Sequence, residues 1–116
     1  MCHVLVIEDE PLIADYLGDI AELAGATSIA LAISEEDALT LARSMPPVVI
    51  LSDVDLKHGG TGPNACAAIR SELGPIPVIF ITGTPELCDP CDYAAAILRK
   101  PIKHQHVIEV FRRVAP

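Results

Sequence analysis

The sequence predicts an α/β domain in which five parallel strands alternate with five helices. Two observations carry that expectation. Short runs rich in apolar residues, at 3–8, 27–32, 48–56, 76–82 and 95–98, have the length of strands. Segments with apolar residues three and four apart follow each of them, as amphipathic helices require. Strand–helix units repeated in this order give a parallel sheet covered by helices on both faces. Right-handed crossovers leave few topologies, and the commonest for five strands is the doubly wound 2-1-3-4-5 order.

Each element has its own warrant. His3-Val4-Leu5-Val6-Ile7-Glu8 suits a buried first strand. Pro11 stands at a first helical position, and Leu12, Ile13, Tyr16, Leu17, Ile20, Leu23 and Ala24 recur at helical spacing until Gly25. After the second strand, Ser34-Glu35-Glu36-Asp37 matches a capping box, and Leu39, Ala42 and Met45 continue a helix that Pro46 ends. In the third strand, Val48-Val49-Ile50-Leu51 runs straight into Ser52-Asp53-Val54-Asp55-Leu56 before the Gly59-Gly60 loop. Such a run reads as a strand buried on both faces. A third helix spans 63–73 with Ala65, Cys66, Ile69 and Leu73, and Gly74-Pro75 closes it. Ile76-Pro77-Val78-Ile79-Phe80-Ile81-Thr82 is the fourth strand. Thr84-Pro85 can cap a fourth helix, which Pro90 cuts short within about two turns. The fifth strand ends at Arg99-Lys100-Pro101, and Val107, Val110, Phe111 and Val114 mark a last amphipathic helix.

Length and composition bound the function. A chain of 116 residues with no linker is expected to form one domain, 1–116. Aromatic residues are only 3% of the chain, so the core must be built from Val, Ile, Leu and Ala. No apolar run approaches the roughly 20 residues of a membrane span. Met1-Cys2-His3-Val4 lacks the basic start of a signal peptide, which makes a cytoplasmic location the expectation. The net charge of −8, from 16 acids against 8 bases, argues against a nucleic-acid partner. Cys2, Cys66, Cys88 and Cys91 are then reduced thiols, and Cys88-Asp89-Pro90-Cys91 is read as incidental to metal binding for want of further ligands.

The polar residues at the strand ends point to chemistry. The first strand ends in Glu8 and Asp9, the third in Asp53, the fourth in Thr82 and the fifth at Lys100. In the 2-1-3-4-5 order those four strands are neighbours, so all five residues face one crevice at the switch point. Taken alone, Asp53 could simply begin a turn. The company it keeps favours a site. Three carboxylates in one cleft repel one another unless a cation neutralises them, and Mg²⁺ suits few carboxylates with several waters. A carboxylate, Mg²⁺, a lysine and a hydroxyl are the parts needed to transfer a phosphoryl group onto an aspartate. Gly83 leaves room beside Thr82 for the group to approach. An acidic rim paired with Lys100 is the plainer alternative.

Over essentially its full length the chain resembles a bacterial response-regulator receiver domain, a flavodoxin-like (βα)5 fold. The motifs that carry the resemblance are Val6-Ile7-Glu8-Asp9-Glu10, Leu51-Ser52-Asp53-Val54, Phe80-Ile81-Thr82-Gly83 and Lys100-Pro101. The resemblance implies that Asp53 is the phosphoacceptor, loaded by a histidine kinase or a histidine phosphotransfer protein. It implies that Asp9, Asp53 and the backbone carbonyl of Asp55 bind Mg²⁺, with Glu8 acting mainly through water. Thr82 and Lys100 would hold the phosphoryl oxygens, and the Lys100-Pro101 bond would be cis. The implied output is a switch in contacts with a downstream protein, and the implied chemistry is confined to the domain's own phosphorylation and dephosphorylation.

Three features depart from that family. Ile97 stands three before the lysine, where most receivers carry an aromatic switch residue. Asp55, two after the acceptor, is an acid many relatives lack. It could orient water, discourage phosphorylation, or be a plain loop acid. The segment 84–93 is unusual, and Tyr93 is read chiefly as a packing residue. Ile97 and this segment also support the alternative of a constitutive interaction module that keeps the fold without using phosphate.

Overall fold

A computed structural model describes residues 1–87 and 93–116. Its strands are β1 (His3–Ile7), β2 (Ser28–Ala32), β3 (Val49–Ser52), β4 (Val78–Thr82) and β5 (Ala96–Arg99). They pair in parallel in the order β2-β1-β3-β4-β5, which is the flavodoxin-like arrangement the sequence predicts. The α-helices are α1 (Pro11–Leu23), α2 (Glu35–Ser44), α3 (Gly62–Leu73) and α4 (His104–Val114).

Side chains alternate across a strand, so a sheet covered on both faces carries two apolar layers. Leu5, Ile7, Ile50 and Phe80 pack on one side with Ala38 and Ala42 of α2 and Ala65 and Ile69 of α3. Val4, Val6, Leu51, Ile79 and Ile81 pack on the other with Leu17 and Ile20 of α1 and Val107 and Phe111 of α4.

The helix ends follow local chemistry. Pro11 opens α1, and Gly25 takes the positive φ of +122° just beyond its end. Ser34 caps α2, its hydroxyl accepting from the Asp37 amide at 3.1 Å. Asp37 returns a bond to the Ile33 amide at 3.0 Å, one residue earlier than a capping box has it. Thr61 caps α3 in the same way as Ser34, through the Asn64 amide.

Two boundaries differ from the sequence reading in ways that matter. The third strand stops at Ser52 rather than running to Leu56, so Asp53 opens a connection. Val54 and Leu56 stay buried because that connection folds back onto the α2–α3 layer. Between β4 and β5 the described part is a 3-10 turn over Pro85–Leu87. Cys88, Cys91 and their C-x-x-C spacing lie outside the described residues. Among the described residues no helix is long and apolar enough to cross a membrane.

Candidate functional site

The carboxyl ends of β1, β3, β4 and β5 meet in one crevice. Each residue that leaves a strand there is held by its neighbour's backbone. The Glu8 amide donates to the Ala32 carbonyl at 2.9 Å, that of Asp53 to Ile7 at 2.9 Å, and that of Lys100 to Thr82 at 2.8 Å. The hydrogen-bond ladder therefore continues one residue past the strands and fixes where these side chains start.

Glu8, Asp9 and Asp53 each present a carboxylate oxygen within 4.8 Å of the others. Glu8 and Asp53 are buried, and burial of like charges demands compensation. Lys100 supplies it. Its Nζ lies 3.0 Å from Glu8 Oε1 and 3.2 Å from Asp53 Oδ2. The other Asp53 oxygen, Oδ1, accepts from the Val54 amide at 2.7 Å, and Glu8 Oε2 accepts from the Glu10 amide at 3.2 Å.

Burial pushes the Glu8 carboxyl up to about 7, against the pull of the Lys100 hydrogen bond and the Glu10 amide; the Asp53 charge adds to the rise. Burial pulls Lys100 down, yet its hydrogen bond to Glu8 and the Asp53 charge together hold it above its usual value. The lysine stays charged, while Glu8 sits poised to take a proton or meet a cation.

The remaining predicted residues divide between the crevice and its surroundings. Thr82 is buried at the end of β4, its hydroxyl accepting from the Thr84 amide at 3.0 Å and lying 3.2 Å from the Thr84 hydroxyl. Beside it, Gly83 is exposed, and a Cβ there would meet nothing within 4 Å. The Lys100–Pro101 peptide is cis. The Asp55 carboxylate is exposed and is not one of the three that gather at the site; its Oδ1 accepts from the Lys57 amide at 2.8 Å. Ile97 is 41% exposed and pairs with Phe80 across β4 and β5. Tyr93 meets Phe80 edge-on at 6.1 Å, lies under Arg70, and donates its hydroxyl proton to the Pro63 carbonyl at 3.3 Å. Tyr93 is thus a packing residue that joins the start of β5 to α3.

Sequence reasoning missed the contacts that brace the loop after Asp53. Glu35 Oε2, from the first turn of α2, accepts the Thr61 amide at 2.8 Å. Lys57 Nζ reaches Glu10 Oε1 at 3.1 Å. Gly62 presses so close that a Cβ there would lie 1.8 Å from the Asp53 carbonyl oxygen. Behind Asp53, Cys66 is buried beside Ser52, and burial pushes its thiol up to about 12, with the Ser52 hydrogen bond opposing. It is an inert packing group.

The profile of the response regulator receiver domain matches residues 4–112. The chain belongs to the receiver domain family. Receiver domains typically bind Mg²⁺ at an acidic cluster such as Glu8, Asp9 and Asp53 form here. The receiver is 36% identical over 111 residues to the phyllosphere-induced regulator PhyR of Methylorubrum extorquens, a match covering 93% of this chain and 41% of that protein. The PhyR receiver domain of Erythrobacter litoralis, solved by NMR, superposes with a TM-score of 0.87 at 31% identity, covering 97% of this chain and 88% of that one. A mutant of the Bartonella quintana PhyR, described as an anti-anti-sigma factor, superposes with a TM-score of 0.85 at 29% identity, covering 98% and 48%. The receiver therefore spans under half the length of the full PhyR proteins it matches.

Proposed function

We propose that this receiver is a phosphorylation-driven switch, with Asp53 accepting a phosphoryl group from a histidine of a sensor kinase or a phosphotransfer protein. The observation that carries the reading is the closed triangle of Glu8, Asp53 and Lys100 beside Asp9 and the buried Thr82. The three carboxylates fit Mg²⁺, a hard cation that takes oxygen ligands, and we assign its binding to Asp9, Asp53 and the Asp55 carbonyl, with Glu8 acting through water. Bound there, the ion supplies positive charge to the transferring oxygens.

The protein does the rest. An Asp53 carboxylate oxygen attacks phosphorus as the bond from phosphorus to the donor nitrogen breaks, and the electron pair leaves with the donor imidazole. Asp53 is held for in-line attack by the Val54 amide on its other oxygen. The Lys100 ammonium moves from the free carboxylate to a phosphoryl oxygen and offsets the added charge. Thr82 gives up its bond from the Thr84 amide and donates its hydroxyl proton to a second phosphoryl oxygen. That rearrangement at the end of β4 is the change the surface reports. Because Ile97 has no polar tip, the signal leaves through backbone shifts and reaches a protein partner. Kinship with PhyR, one form of which is described as an anti-anti-sigma factor, favours such a protein–protein output.

Intact mass spectrometry tests the assignment. With Mg²⁺ and acetyl phosphate, wild type gains one phosphoryl group and Asp53→Asn gains none. A wild type that stays unmodified with every donor, kinase included, would overturn the switch and leave a constitutive interaction module.

A further inference from the structure

Lys57 is the only non-glycine with positive φ among the described residues, at +55°. Such a conformation costs energy and persists only where the surroundings enforce it. Here they do. The Lys57 amide is tied to Asp55 Oδ1 at 2.8 Å, and Leu56 beneath it is buried. Leu56 also bonds to Gly59 and Gly60 across the turn, and Glu35 holds the Thr61 amide from below. The strained turn delivers the Lys57 ammonium to Glu10, next to Asp9, and so stretches an ion pair from the loop after β3 to the loop after β1. Both partners are about half exposed, and such pairs open at little cost.

The mouth has an electrostatic problem. Glu8, Asp9, Glu10, Asp53 and Asp55 outnumber Lys57 and Lys100, a bound Mg²⁺ would still leave the balance negative, and Lys100 is already committed to Glu8 and Asp53. An incoming phosphodonor brings further negative charge. We infer that Lys57 is the electrostatic guide for the phosphodonor, leaving Glu10 to meet its anionic group and bring it onto Asp53. Lys57 keeps its proton throughout, and the bonds that change are those at phosphorus. The inference rests on Asp53 being the phosphoacceptor.

The test compares wild type, Lys57→Gln, Lys57→Arg and Glu10→Gln for the rate of acetyl phosphate labelling under saturating Mg²⁺, at low and high ionic strength. Calorimetry measures Mg²⁺ affinity alongside. Loss of the Lys57 charge is expected to slow labelling about threefold to tenfold at low salt and little at high salt. Mg²⁺ should bind that variant as well as wild type or several-fold tighter, because a repelling cation is gone. Lys57→Arg should restore the rate, and Glu10→Gln should raise it. Equal low-salt rates for wild type and Lys57→Gln would overturn the inference alone. So would a joint fall in rate and Mg²⁺ affinity, which marks a collapsed loop. No adduct on wild type would bring down the phosphoacceptor reading, and this inference with it.

Discussion

Gly62 is where a single methyl group should do most damage. It is the first residue of α3, and its amide donates to the Val54 carbonyl at 2.8 Å. A Cβ at this position would lie 1.8 Å from the Asp53 carbonyl oxygen, 2.4 Å from Ser52 Oγ and 2.9 Å from the Asp53 carbonyl carbon. Two of those three atoms are backbone, so no side-chain rotation relieves the clash. Gly62→Ala must push α3 off the Asp53 connection, which lengthens the Gly62–Val54 hydrogen bond. Overpacking costs about 1–3 kcal/mol and the lost bond about 1 kcal/mol, giving a destabilisation of roughly 2–4 kcal/mol. Urea denaturation followed by circular dichroism measures it. Gly83→Ala is the matched control. Its Cβ would meet nothing within 4 Å, and its φ is not in the left-handed region, so the cost should stay within about 0.5 kcal/mol. Because Gly62 abuts the backbone of Asp53, Mg²⁺ affinity should fall in Gly62→Ala as well. A Gly62→Ala protein within about 0.5 kcal/mol of wild type would refute the reasoning, since the loop would have to be far more yielding than its bonds imply.

Other predictions follow from single contacts. Burial raises Glu8 from 4.5 to about 7, so the folded metal-free protein holds this proton more tightly than the unfolded chain does. That stabilisation is full below about pH 4.5 and is lost as pH rises through 7, up to about 3 kcal/mol from the size of the shift. Denaturation in EDTA across this range should show the decline in wild type, Glu8→Gln should lack it, and saturating Mg²⁺ should offset it. Ser34→Ala removes the cap of α2 and should cost about 1 kcal/mol in urea denaturation while leaving Mg²⁺ affinity unchanged. Asp55 commits a carboxylate oxygen to the Lys57 amide and is not one of the three gathered carboxylates. Asp55→Asn should therefore dephosphorylate at the wild-type rate, and a severalfold change would return this side chain to the chemistry.

What could be read from the sequence was what local pattern encodes. Apolar runs and helical spacing encode the element order except between β4 and β5, where they predict a helix and the described part is a 3-10 turn. Crossover chirality narrows the sheet to a few orders, the commonest of which is the one found. The crevice residues were legible because each stands at or just past the end of a strand, and topology alone brings those four strand ends together. Contacts between loops carry no such signal. Nothing in Gly59-Gly60-Thr61-Gly62 announces that Glu35, 26 residues earlier, will seat its carboxylate there. Lys57 and Glu10 are 47 residues apart, and their meeting depends on a left-handed backbone at Lys57 that no pattern predicts. The third strand read four residues too long because Val54 and Leu56 are as apolar as strand residues, although they are buried by a loop folding inward.

The two apolar layers divide the molecule energetically. Val6 and Ile7 are adjacent in the chain, yet one packs with α1 and α4 and the other with α2 and α3. Ile50 and Leu51 are separated in the same way. Side chains that share no partners contribute nearly independently, so substitutions on opposite faces of the sheet should add. Those within one layer should couple, even when they come from opposite ends of the sequence, as Leu17 and Phe111 do. Sequence distance is thus a poor guide to epistasis in this fold, and the parity of a residue along its strand is a better one.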